Sequence, residues 1–354
     1  MYQPKASTIY LNRDCSRNCP YCNNKDPIRE KGRLSVEQWK RIFLFLRDEV
    51  GIEFFLILGT EPLLMAKDLV ELVKFWDKED MEYGLYSTSP PKLFDEHIRK
   101  LLDAGLNNWS SGIDFIPEVY DCWEPALSNP VKALVEKNRK GLQQKARDSL
   151  RAFKFLEGKV RELHALITIS KMNIEMVPTM IEWLTDNFND SIHIGINFVE
   201  YSDGKDMDFA TTKDDDYCFS STPSDLARLV NLSHSLQLMS EKAKNRLQIP
   251  IEYVGDIQSI LHLDWKCSLY AMALSVDCNG EMRLCGYRRL PPEGRPTVFD
   301  LMDDKVDVLR YLDLVHFDCK GCYWSYPYVL MKQGSQIVNY RSRHWKDRDK
   351  ELKK

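Results

Sequence analysis

Cys15-Ser16-Arg17-Asn18-Cys19-Pro20-Tyr21-Cys22 is the stretch from which the rest of the chain is read. Its three thiols have the spacing C-x3-C-x2-C and directly follow an alternating segment, Ser7-Thr8-Ile9-Tyr10-Leu11. Clustered thiolates on one short loop can converge on a metal, and cubane iron–sulfur clusters are normally held by cysteine sulfur. Three ligands for a four-iron cluster leave one iron open to an exogenous ligand, which points to chemistry rather than electron storage. A three-cysteine zinc site is the competing reading, but structural zinc sites usually recruit a nearby fourth Cys or His. Here the next cysteine is Cys122, and no histidine precedes His97.

Outward from the loop, strand-like and helix-like segments alternate. Ser7–Leu11 reads as a strand. Leu34-Ser35 opens a helix to about Val50, with Ser35 and Gln38 in a capping-box pattern. Ile52–Leu58 is an apolar run of buried-strand type. Then come a helix at Ala66–Lys78, a strand at Met81–Tyr86, a helix at Leu93–Asp103 and a strand at Asn107–Ile113. A long helix over Pro130–Glu157, a strand at Leu163–Ile169, a helix at Ile174–Asn187 and a strand at Ser191–Val199 complete the series. Six strands separated by helices predict parallel β/α units with right-handed crossovers. Functional residues then belong at strand C-termini.

The cysteine loop resembles the C-x3-C-x-aromatic-C signature of the radical S-adenosylmethionine (SAM) enzymes, with Tyr21 at the aromatic position. The resemblance implies a partial (β/α)6 TIM-like barrel and a [4Fe-4S] cluster on Cys15, Cys19 and Cys22. SAM would chelate the open iron and, on receiving one electron, yield methionine and a 5'-deoxyadenosyl radical that removes hydrogen from carbon. An electron donor such as flavodoxin or ferredoxin follows from that chemistry. Gly59-Thr60-Glu61-Pro62, just after the second strand, resembles the family's G-G-E-P motif for the SAM amino group, with Thr60 replacing the second glycine. The alternative for this stretch is a plain strand-to-helix turn. Thr88 follows the third strand where the family places small polar residues near SAM. Ser111 and Asp114 resemble its S-x-D segment near the adenosine ribose. Asn173 fits its pattern after the fifth strand, or else caps the next helix. Glu200, ending the sixth strand, is a substrate-side candidate or a solvated residue. Cys218 is a candidate hydrogen donor to a substrate radical, or simply a buried thiol.

From Trp265 the pattern changes. Cys267 and Cys285 bracket two alternating segments around Asn279-Gly280, a strong hairpin signal. Cys319-Lys320-Gly321-Cys322 follows a helical stretch, Asp300–Leu314. Four thiols in this order can close a tetrahedral set, and spacing alone leaves zinc and iron–sulfur equal. The arrangement is similar to the SPASM/twitch extension of radical SAM enzymes, in its shorter form, which implies a second, auxiliary [4Fe-4S] cluster on Cys267, Cys285, Cys319 and Cys322. Cys278, beside the turn, and Cys122 read as bystanders.

Composition narrows the rest. The 354 residues, 44% hydrophobic and 29% charged, suit a large domain with an appendage. A net charge of −4 makes no electrostatic case for nucleic acid. No apolar run is long enough to cross a bilayer, and Met1–Lys5 lacks a signal-peptide core. Ten cysteines without an export signal favour metal ligation in a cytoplasmic setting over disulfides. The expected division is a radical SAM partial barrel over 1–222, a helical linker over 223–264 and a cysteine-rich twitch region, β-hairpin plus helix, over 265–354. The expected activity is a radical SAM oxidoreductase that abstracts hydrogen from a small molecule and passes an electron to the auxiliary cluster. A peptide maturase carrying out epimerisation or crosslinking is the alternative.

Overall fold

The structure is a computed structural model that describes residues 6–15, 17, 19, 22, 32–58, 61–199, 217–219, 222–248, 274–283 and 297–303. Tyr21, Gly59, Thr60, Glu200, Cys267, Cys285, Cys319 and Cys322 lie outside the described residues, as does Asp300–Leu314 beyond residue 303.

β1 (Ala6–Tyr10) leads through the cysteine loop to α1 (Val36–Phe45), which a π turn (Leu46–Val50) prolongs. The Ser35–Gln38 capping box is present in both directions, satisfying two otherwise orphan donors at the helix start. β2 (Phe54–Leu58), a 3-10 turn (Pro62–Met65), α2 (Ala66–Lys78), β3 (Tyr83–Leu85), α3 (Pro91–Asp103) and β4 (Asn108–Gly112) follow. α4 (Pro117–Trp123), a short helix absent from the sequence expectation, precedes α5 (Asn129–Leu156), β5 (Glu162–Ile169), α6 (Val177–Asn187) and β6 (Ile192–Phe198). α7 (Pro223–Gln237), α8 (Glu241–Lys244), β7 (Leu274–Val276), β8 (Met282–Arg283) and α9 (Val298–Met302) complete the described elements.

Two expectations shift. Asn173 is not a helix cap: α6 begins at Val177, and residues 171–176 form turns. In the stretch expected as a helical linker over 223–264, the described helix ends at Gln237 and a new one starts after Ser240, which caps α8 by accepting from Ala243 N–H while its own N–H and Oγ donate to Glu182. Leu229, Leu232 and Leu236 of α7 are buried, and Arg228 binds the Glu175 carboxylate and the Lys171 carbonyl.

Parallel strands run in the orders β3-β2-β1-β7 and β4-β5-β6, and a parallel bridge between Tyr86 and Ser110 joins the two sets. β8 pairs antiparallel with β7, as a hairpin should. The spatial order is therefore β6-β5-β4-β3-β2-β1-β7, an α/β partial barrel. Alternation along the strands divides the lining in two. Phe55, Tyr83 and Trp109 face the helices, where Phe43, Trp76 and Phe94 meet them edge-on or tilted with centroids 4.8–5.6 Å apart. The other face holds Leu56, Leu58, Tyr86, Leu166, Thr168 and Asn197, all half-buried, and this is the barrel interior. Among the described residues, no helix is long and apolar enough to cross a membrane.

Candidate active site

Cys15, Cys19 and Cys22 follow β1 at its C-terminal end, are half-buried, and form no disulfide. Cys22 N–H donates to the Cys19 carbonyl at 3.2 Å, and Arg17 N–H donates to Cys15 Sγ at 3.3 Å. Burial pushes the Cys15 thiol up, and the neighbouring Glu61, Cys19 and Cys22 add to that. Among the described residues, no three His, Cys, Asp or Glu side chains converge tightly enough to hold one metal ion. A multi-iron cluster does not need that convergence, since each thiolate binds a different iron. An all-sulfur donor set on one short loop fits a three-thiolate cluster.

The loop is braced from beneath. Arg17 Nη2 donates to the Thr88 carbonyl at 2.8 Å and to Asp148 Oδ2 at 2.6 Å, and Gln144 holds the other Asp148 oxygen at 2.8 Å. Thr88 is in turn fixed by Glu61: its N–H and Oγ1 reach Glu61 Oε2 at 2.9 and 2.5 Å. Ser87 Oγ and Leu63 N–H donate to Glu61 Oε1 at 2.7 and 3.1 Å. Glu61 is fully buried, so its carboxylate acts within the protein, locking the end of β3 to the turn that Pro62 opens. The part of Glu61 facing the cysteine loop is its backbone, whose carbonyl accepts from Asn12 at 3.0 Å.

Asp114 stands past the end of β4, where the sequence placed it. Its carboxylate takes the Lys145 ammonium in a buried ion pair and accepts from Thr168 N–H at 2.8 Å. Asn173 ties the same corner together: its amide donates to the carbonyls of Asp114 and Thr168 at 2.9 and 3.0 Å. Ser111 lies elsewhere. It shares the helix-side face with Trp109 and meets Ser149 of α5, Oγ to Oγ 2.8 Å, so the structure does not bring it into the interior. The interior position beside it is Gly112, where a Cβ would stand 2.8 Å from the Tyr86 hydroxyl and 2.9 Å from Lys145 Nζ. Burial pushes the Tyr86 phenol up to about 12, so it stays a neutral hydroxyl. Cys218 is buried, next to Tyr217, whose carbonyl accepts from Lys171 N–H at 3.0 Å and whose hydroxyl accepts from Asn138 at 2.7 Å. Cys122 is exposed on α4. Burial, with Asp277 next, pushes the Cys278 thiol up to about 11, in keeping with an inert side chain.

Sequence reasoning missed Arg17, Lys145 and Asp148. The signal was present for the last two: they are polar residues on the buried stripe of α5 with Leu142, Ala146, Ala152 and Phe153.

Residues 9–184 match the family model described as Radical SAM superfamily. An uncharacterized protein of Archaeoglobus fulgidus is 32% identical over 187 residues, 52% of this chain and 40% of that one. A PqqA peptide cyclase of Bradyrhizobium diazoefficiens is 36% identical over 107 residues, 29% of this chain and 27% of the relative. The chain thus spans less than half the length of these relatives. Among solved structures, Streptococcus suis SuiB bound to S-adenosylmethionine superposes with a TM-score of 0.58 over 89% of this chain and 66% of that one, at 12% identity, a likeness of fold. The family match begins within β1 and ends within α6, and so takes in the loop and most of its braces; the chain belongs to the radical SAM superfamily.

Proposed function

We propose that this chain uses SAM to start a substrate oxidation by hydrogen abstraction from carbon, with the C-terminal cysteines holding an electron acceptor. The observation that carries the first half is the three-thiol loop at the C-terminal end of β1, braced by Arg17, Thr88 and Asp148 over the barrel interior. Cys15, Cys19 and Cys22 would hold a [4Fe-4S] cluster, which with bound SAM would supply the radical chemistry. The chain's own part is placement. The Glu61 carboxylate fixes Thr88, and Thr88 with Asp148 fixes Arg17 and hence the loop. By their likeness to the G-G-E-P motif, Gly59, Thr60, Glu61 and Pro62 would serve the SAM amino group, and Tyr21 belongs to the same cofactor site by its place in the cysteine signature. Asp114, held by Lys145, presents a polar corner next to the Tyr86 hydroxyl for the nucleoside or the substrate. Leu56, Leu58 and Leu166 line the interior with apolar surface that excludes water. Glu200 and Cys218 remain substrate-side candidates, and a flavodoxin- or ferredoxin-like donor in the cytoplasm supplies the electron.

The second half rests on Cys267, Cys285, Cys319 and Cys322. Support comes from the hairpin between the first two, which forms and docks beside β1. Four thiolates on an auxiliary [4Fe-4S] cluster in a twitch-type region would accept the electron left after hydrogen removal, with burial and hydrogen bonds to sulfur as the protein's levers. A peptide substrate is the second reading, favoured by the similarity to a PqqA peptide cyclase. A mass loss of about two hydrogens, found on a peptide rather than on a small molecule, would select it.

The deciding experiment is iron and sulfide per chain after anaerobic reconstitution, for wild type and for Cys15/Cys19/Cys22→Ala. About eight irons falling to about four, with SAM cleavage abolished, is the expected result for two four-iron clusters. About four falling to none, with zinc in the remainder, would remove the electron acceptor and leave a redox-neutral reaction.

A further inference from the structure

Residues 13 and 34 bracket the cysteine loop, and one β-turn from the far end of the chain holds both. The turn runs from Asp277 to Gly280, closed by Gly280 N–H on the Asp277 carbonyl at 2.8 Å, with Gly280 at φ +85. The Asp277 carboxylate is fully buried and takes Arg13 bidentately, Nε to Oδ1 at 2.8 Å and Nη2 to Oδ2 at 2.5 Å. The guanidinium also lies 4.1 Å over the Tyr10 ring. One residue on, Cys278 donates its N–H to Asp277 at 2.7 Å and accepts Leu34 N–H on its carbonyl at 2.9 Å. The loop's entrance, two residues before Cys15, and its exit, twelve residues after Cys22, therefore hang on the same four residues.

The hairpin is already docked without this pair. β7 runs parallel to β1 in the register Ser7↔Leu274, Thr8↔Ser275, Ile9↔Val276, and Ser7 Oγ donates to the Leu274 carbonyl at 2.7 Å. A buried ion pair adds little stability over well-packed apolar residues. What a planar, bidentate Arg–carboxylate contact adds is orientation. Its effect therefore falls on the loop that Arg13 begins.

We propose that Arg13 and Asp277 are a positioning pair through which the C-terminal hairpin sets the placement of the three thiols, and with it the affinity of the site for SAM. The inference rests on the reading that Cys15, Cys19 and Cys22 hold the SAM-binding cluster. Neither residue touches the ligand; both act through the loop backbone, as outer-shell groups do at metal sites.

The test uses the full chain as wild type, Asp277→Asn, Arg13→Lys and, as control, Asp95→Asn, which breaks an exposed pair with Arg151. In the cluster-free chain, hydrogen exchange over residues 12–34 is expected to quicken in the first two variants and not in the control. After anaerobic reconstitution, the SAM concentration that half-changes the electron paramagnetic resonance spectrum of the reduced cluster is expected to rise about tenfold in the same two. Iron loss accompanied by faster exchange also supports the proposal. Wild-type exchange, or faster exchange with an unchanged SAM titration, overturns it. If Asp277→Asn is insoluble, Arg13→Lys decides by the same readouts, since it keeps the charge but cannot span both oxygens. A wild-type spectrum indifferent to SAM would remove the reading of the three cysteines instead, leaving exchange alone to judge the tie between turn and loop.

Discussion

Glu61 has four donors on two oxygens, from Leu63, Ser87 and Thr88, and none of its surface is exposed. A carboxylate has about four lone-pair sites, so this one is saturated from inside. Glutamine at the same place would turn an NH2 towards groups that are themselves donors. Glu61→Gln is therefore expected to destabilise the cluster-free chain by about 1–3 kcal/mol, the cost of leaving buried polar groups unpaired. Urea unfolding would measure it, and a loss under about 0.5 kcal/mol, the range of an ordinary surface change, would show that the carboxylate is not the lock. Thr88 carries the consequence onward, because its carbonyl is one of the two acceptors that hold Arg17.

At the scale of elements, β4, β5 and β6 share a polar cluster near their N-terminal ends. His164 Nε2 lies 3.0 Å from both Glu162 Oε2 and Asn108 Nδ2, and its Nδ1 lies 2.7 Å from Gln248 Nε2. Burial works to raise the Glu162 carboxyl, but His164 overrides it and the net shift is downward. A carboxyl whose folded pKa is depressed contributes stability above its unfolded value, about 4.3, and loses it as pH falls through the folded one. Thermal melts of wild type and Glu162→Gln should differ by a constant amount from pH 7 to about 5, and the gap should close on further acidification. A gap that persists at about pH 3 would mean that Glu162 acts through packing rather than charge.

At the scale of the molecule, open sheet edges need covering. Residues 246–248 cover β6: Ile194 N–H donates to the Arg246 carbonyl at 2.8 Å, and Gln248 N–H to the Ile194 carbonyl at 2.9 Å. β7 covers β1, though more than 260 residues separate the paired positions. A chain ending at residue 248 should therefore expose the β1 edge together with the buried charge of Arg13. Its expected behaviour is aggregation on expression. A soluble product with the wild-type circular dichroism and melting temperature would show that the hairpin is an ornament on the barrel, not a wall of it.

Local chemistry made much of this legible. The Ser35–Gln38 box, the apolar periods of α2 and α3, the strands and the Asn279-Gly280 turn each depend on neighbours a few residues away, so a sequence carries them. The C-x3-C-x2-C spacing needs only one loop, and the resemblance it carries, to the radical SAM signature, is matched by the family model over residues 9–184. Strand order, strand face and long-range pairing are different in kind. Whether Ser110 or Ser111 turns inward depends on a period of two, and the clue was Trp109, a large apolar side chain that takes the helix side and carries Ser111 with it. Which face the Glu61 carboxylate would present, that Lys145 and Asp148 would reach in from α5, and that Asp277 would find Arg13 are outcomes of packing. Each joins residues distant in sequence, where closing the chain costs entropy that only many simultaneous contacts offset. The residues that can hold the cluster were therefore set by the sequence alone, and the residues that hold them in place were chosen by the tertiary fold.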